Sequence, residues 1–270
     1  SLRISTGRSI TASVSRAFAL HIDPRIPVGR VASRAGALLA SADGFAMTLT
    51  GRGGHASMPH DTIDPVPVAC EIVSAIQTLV TRRIDVFDPV VITVTRIASG
   101  TTGNVIPESA EMLGTIRATS PRARERAHAG LRRVVEGIAA AHEVKAKLDI
   151  VEGYPVTVND ASATEFAREV ADELFGANAF IPMPQPVMGA EDFSFVLERI
   201  PGALAPLARL AFNYRWSWAL GGPELFAAVD ADRWAICHHN PVGLLREAPL
   251  ASLARAAADA DLCRRAQELE

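Results

Sequence analysis

The chain has 270 residues, 27 Lys plus Arg against 30 Asp plus Glu, and 49% hydrophobic residues, enough for one large domain or two smaller ones with buried cores. The near balance of charge, without a run of five like charges, argues against a nucleic-acid or polybasic membrane surface, and no apolar run reaches the roughly 20 residues of a membrane span. Cys70, Cys237 and Cys263 are odd in number and widely spaced, which fits a reducing compartment, so a cytoplasmic protein is expected.

The opening S-L-R-I-S-T-G-R-S-I-T is polar, lacks a clear period and does not start with Met, so the chain is expected to be part of something longer. From Gly44 the sequence alternates, with Phe45, Met47 and Leu49 on one face, and predicts a strand. Val68, Ile72, Val73, Ile76, Leu79 and Val80 recur at helical spacing behind Pro65 and Pro67, predicting a helix over about 64–82. Two alternating segments, 90–97 and 109–117, predict strands joined by a loop containing S-G-T-T-G-N. Pro121 opens a second helical stretch to about His142, and 146–151 alternates as a last strand. The order β-α-β-β-α-β predicts a ferredoxin-like unit, a plausible dimerisation module whose pattern alone carries no function.

Short stretches around this unit carry chemistry-bearing residues: A-L-H-I-D-P (19–24), G-R-G-G-H-A-S-M-P-H (51–60), G-N-V-I-P (103–107), G-T-I-R (114–117) and M-G-A-E-D-F-S (188–194). On their own, His21 reads as a polar strand-end residue, His55 as a turn residue after two glycines, Asn104 as a loop residue and Arg117 as a solvated strand side chain. In this order and spacing, however, the stretches over about 17–203 resemble the M20 family of metal-dependent amidohydrolases and peptidases, nearest the branch acting on N-acyl amino acids.

The resemblance implies a role for each. His21 is implied as a metal ligand. His55 is implied to reach the partner subunit's active site and steady the oxyanion that forms on the scissile carbonyl. Asn104 is implied to donate to a substrate carbonyl or carboxylate, and Arg117 to grip a carboxylate through its planar fork. His55, Asn104 and Arg117 are expected to converge on one surface. Glu191 and Asp192 stand either at the active-site floor or as acids at a helix start, and His60 reads as a turn residue. The family uses two ions, zinc or manganese, with a glutamate as general base. The stretches that supply that base and most of the ligands are absent, so the isolated chain is expected to be an inactive fragment that does not retain the ions.

C-H-H-N-P (237–241) could supply a last ligand through His239, but the segment around it differs in composition. Residues of about 205–270, including Trp216, Trp218, Trp234 and H-N-P-V, resemble the N-terminal segment of bacterial glucan phosphorylases, which makes His239 a turn residue and the chain chimeric. The expected organisation is α/β (α+β). Residues 1–43 and 153–203 form a partial α/β zinc-peptidase-like domain, 44–152 an inserted ferredoxin-like dimerisation domain, and 204–270 a helical segment. The expected function is that of a fragment of an N-acyl amino acid or small-peptide amidohydrolase that pairs as a homodimer and binds neither nucleic acid nor membrane. A non-catalytic dimerisation and substrate-gripping remnant, or a glucan-associated module, are the alternatives.

Overall fold

The computed structural model describes residues 15–23 and 25–207, and the backbone of 236–237. In chain order these form β1 (Ala17–Ile22), β2 (Val31–Ser33), β3 (Gly36–Leu39), β4 (Ala42–Thr50), β5 (Gly54–His55), a 3₁₀ turn (Pro59–Asp61), α1 (Pro65–Arg83), β6 (Val90–Ser99), β7 (Val105–Ile106), β8 (Ser109–Ala118), α2 (Pro121–Ala141), β9 (Lys145–Tyr154), β10 (Thr157–Asn159), α3 (Ala161–Phe175), β11 (Phe180–Pro182), α4 (Ser194–Leu197), β12 (Gly202–Leu207) and β13 (Ile236–Cys237). Among the described residues no helix is long and apolar enough to cross a membrane.

Among the described residues two compact units emerge, one of residues 39–157 and 186–192, the other of the described residues before 39, residues 158–185 and the described residues from 193 on. The first is built on a four-stranded antiparallel sheet in the order β6-β8-β4-β9. Alternation decides which face is buried: Phe45, Met47 and Leu49 of β4 and Ala110, Met112 and Ile116 of β8 point inward. The two helices cover that face, α1 through Val68, Ile72 and Ile76 and α2 through Ala127, Leu131 and Val135. Each helix has a start written locally. The Asp64 carboxylate accepts from the Val66 N–H at 2.9 Å and the Ser120 hydroxyl from the Ala123 N–H at 3.0 Å, with Pro65 and Pro121 next to them where a lost N–H costs little. Ala42 pairs with Tyr154, so the chain enters and leaves the sheet of this unit through adjacent strand ends.

The second unit contains a five-stranded sheet in the order β11-β2-β12-β1-β13, with β1 parallel to both β12 and β13. The helical reading of 204–270 is corrected here. Residues 204–207 belong to β12, which is buried along its whole length, and Ile236–Cys237 is a strand within the segment expected to be helical. The apolar run A-L-A-P-L has no period-two signal because both faces are covered, the ambiguity inherent in a short buried run. The remaining residues of that segment, with the three tryptophans and His239, lie outside the described residues. Buried Asn159 joins β12 to the end of β2: its amide donates to the Ser33 hydroxyl and to the Arg34 and Leu204 carbonyls, each at 3.0 Å, and its oxygen accepts from the Leu204 N–H at 2.8 Å.

Candidate functional site

His55 and Asn104 occupy a narrow ribbon that prolongs β4 and β8 beyond the four-stranded sheet. His55 pairs with Val105 and Gly54 with Ile106, and the Ala56 N–H donates to the Asn104 carbonyl at 3.0 Å. The glycines of G-R-G-G-H make this possible through space and not through a left-handed turn, because none of them has a positive φ. A Cβ on Gly51 would overlap the Ile63 carbonyl, and one on Gly53 would lie 2.7 Å from the Ile106 carbonyl, so the backbones approach closely only without side chains there.

Both side chains at the ribbon are exposed, and each has a hydroxyl two residues away. The Ser57 N–H donates to Nδ1 of His55 at 3.2 Å, and the Ser57 hydroxyl lies 2.8 Å from the same nitrogen. The Thr102 hydroxyl donates to Oδ1 of Asn104 at 3.1 Å. The groups left facing outward are Nε2 of His55 and the amide nitrogen of Asn104.

Arg117 does not join them, which corrects the expected single surface. It sits near the far end of β8, half-buried on the outer sheet face opposite Val91, with Nη1 donating to the Ile116 carbonyl at 3.2 Å. The eight steps of β8 from Ser109 to Arg117 span about 27 Å at ordinary strand rise, and His55 lies further out still. A strand is a ruler, and these residues stand at its two ends.

Near Arg117, at the end where the chain enters and leaves the sheet, lies a buried charge cluster that sequence reasoning missed. Asp43, whose side chain is fully buried, accepts from Arg124 through Nε at 2.9 Å and Nη2 at 2.5 Å, from Nε2 of His128 at 2.8 Å and from the Gly153 N–H at 3.0 Å. Burial, the strongest influence, pushes the Asp43 carboxyl up, but the donors of Arg124, Gly153 and His128 outweigh it and leave it below its ordinary value. The cluster ties β4, α2 and β9 together at one point. Glu191 is buried and Asp192 exposed, just ahead of α4.

His21 is exposed near the end of β1. The neighbouring Asp23 is committed to Arg25, which binds it through Nε at 2.9 Å and Nη2 at 2.7 Å. The Arg25 side-chain bond is the main reason its carboxyl is lowered to about 2. Among the described residues no group of three or more His, Cys, Asp or Glu is placed to hold a metal ion, fewer than the three protein ligands typical of a catalytic zinc. The described residues do not by themselves form a site for the zinc or manganese pair that the sequence resemblance implies.

Residues 39–143 match the peptidase dimerisation domain family, and residues 200–270 match a protein family of unknown function, DUF3417. That second match supports the glucan phosphorylase resemblance only in part, since the family is described as of unknown function. Over 190 residues the chain is 37% identical to thermostable carboxypeptidase 2 of Saccharolobus solfataricus, covering 70% of this chain and 47% of that protein. It is 39% identical over 189 residues to the N-acetylcysteine deacetylase of Bacillus subtilis, covering 70% and 49%. A solved structure from Bacillus subtilis, described as a dinuclear metal binding peptidase from the M20 family, superposes with a TM-score of 0.59 at 32% identity, covering 72% of this chain and 48% of that one. The chain thus spans about half the length of the curated relatives it matches. These likenesses support an M20 amidohydrolase.

Proposed function

We propose that this chain is a fragment of a metal-dependent enzyme that cleaves the amide bond of N-acyl amino acids or small peptides. In this reading residues 44–152 are its ferredoxin-like dimerisation domain, inserted in a catalytic α/β domain represented by 1–43 and 153–203. The observation that carries the reading is the exposed His55–Asn104 ribbon within the segment matching a peptidase dimerisation domain. A ring N–H from His55 and an amide N–H from Asn104 are the donors that a carbonyl oxygen gaining negative charge requires. Arg117 offers the planar fork that binds a substrate carboxylate. His21 is the residue of this chain we assign to the zinc or manganese ions of the complete enzyme.

Because about 27 Å or more of strand separates His55 from Arg117, the two serve different active sites. We assign Arg117, near the end of β8, to its own subunit's site and His55 to the partner's. α1, which carries the exposed uncharged residues Val66, Cys70, Ser74, Gln77 and Thr81, packs against the outer strand β6, whose exposed residues are Val91, Thr93, Thr95, Ile97 and Ser99 with the single charge of Arg96. The other outer strand, β9, carries Lys147, Asp149 and Glu152, charges that discourage edge pairing. We assign the α1–β6 edge to homodimer formation.

Given zinc or manganese, the isolated chain is expected to turn over no N-acyl amino acid above background. Chelator-sensitive turnover by this chain would contradict its assignment as a fragment.

A further inference from the structure

The ring of His55 is held through one atom. The Ser57 N–H points at Nδ1 from 3.2 Å and the Ser57 hydroxyl stands 2.8 Å from that nitrogen. A backbone N–H can only donate, so Nδ1 must present its lone pair, and a neutral ring then carries its hydrogen on Nε2. The hydroxyl can donate to that lone pair as well, whereas a hydrogen on Nδ1 would face the Ser57 N–H head on. The ring itself is exposed, so no packing selects its tautomer. Ser57 lies in the turn that follows His55 at the end of β5, and the Met58 N–H bond to the His55 carbonyl at 2.9 Å keeps the shape of that turn.

We propose that Ser57 is a positioning residue that fixes His55 as an Nε2–H donor. The use of that donor on a substrate carbonyl rests on the function proposed above, but the tautomer itself does not. A ring whose outward nitrogen carried a lone pair would repel a developing oxyanion, and Ser57 removes that alternative before substrate arrives. Replacing the hydroxyl leaves the backbone donor in place, so the expected effect is graded.

The test is ¹⁵N spectroscopy of the histidine rings in the full chain at a pH well above the ordinary imidazole value of about 6.5, with the His55 signals identified by their loss in His55→Gln. The wild type should give a pyridine-like Nδ1 and a pyrrole-like Nε2. In Ser57→Ala the ratio of Nε2–H to Nδ1–H should fall about threefold to tenfold, the size of one lost hydroxyl hydrogen bond. Ser57→Thr, which keeps the hydroxyl, should restore it. An Nδ1–H ring in the wild type, an unchanged ratio in Ser57→Ala, or a Ser57→Thr ring that behaves like Ser57→Ala would overturn the proposal. The readout is a ring nitrogen and not turnover. An unlocked ring therefore sinks this inference alone, while a locked ring in a completed but inactive enzyme sinks only the functional reading.

Discussion

The two ends of the four-stranded sheet treat polar side chains in opposite ways. At the strand ends where the chain enters and leaves, Asp43 is buried and every direction around it is filled by Arg124, His128 and Gly153. At the other end His55 and Asn104 are exposed, and each has only its acceptor atom engaged, by Ser57 and Thr102. A buried carboxylate must be satisfied on all sides or it destabilises the fold. An exposed donor left open costs little and is free to meet a ligand. The first arrangement is that of a structural clamp and the second that of a recognition surface.

The sharpest way to break the contrast is at the clamp. Asp43→Asn removes the buried carboxylate from Arg124 and His128 and leaves the guanidinium only the more distant, exposed Glu152 carboxylate at 3.6 Å. It should cost about 3 kcal/mol or more, read as a lower urea midpoint at unchanged slope. The sign of the pH effect follows from the lowered carboxyl. Its stabilisation is complete above the unfolded-state value of about 3.9 and is lost as pH falls through the lower folded value. Acid unfolding of the wild type should steepen below about pH 4, and Asp43→Asn should flatten that limb.

A second break concerns the ribbon. Gly51→Ala places a methyl group against the Ile63 carbonyl and should cost about 1–3 kcal/mol, the usual penalty of overpacking, visible in the same unfolding curves. The smallest effects belong to the side chains assigned to substrate: His55→Gln on the recognition surface and Arg117→Ala at the far end of β8 should each change stability by no more than about 0.5 kcal/mol. A large loss in either would turn it into a structural residue.

These differences bear on what the sequence could tell. The β-α-β-β-α-β order was legible because one sheet face is buried, so β4 and β8 alternate and both helices carry a clean apolar stripe behind a Pro-marked start. Asp43 was not, since a single acid at a strand start looks like a solvated linker residue and its partners lie 81 and 85 positions away. Asn159 escaped for the same reason, its contacts being 125, 126 and 45 residues distant. β12 was hidden by burial on both faces. The separation of Arg117 from Asn104 could have been found: one precedes and the other nearly ends a ten-residue strand, and the length of a strand fixes the distance between its ends.

The most direct measurement of the central claim, that His55 and Arg117 serve different active sites of a dimer, is complementation. In the enzyme completed by its upstream half, His55→Gln and Arg117→Ala each impair both sites of their own homodimers. Mixed dimers restore one site, which combines the Arg117 of the His55→Gln subunit with the His55 of the other. The account predicts that equal mixing with exchange of subunits recovers about a quarter of wild-type turnover of an N-acyl amino acid, from one intact site in each mixed dimer. Turnover no higher than the average of the two separate variants would mean that both residues act within one subunit's site, or in none, and would contradict the account.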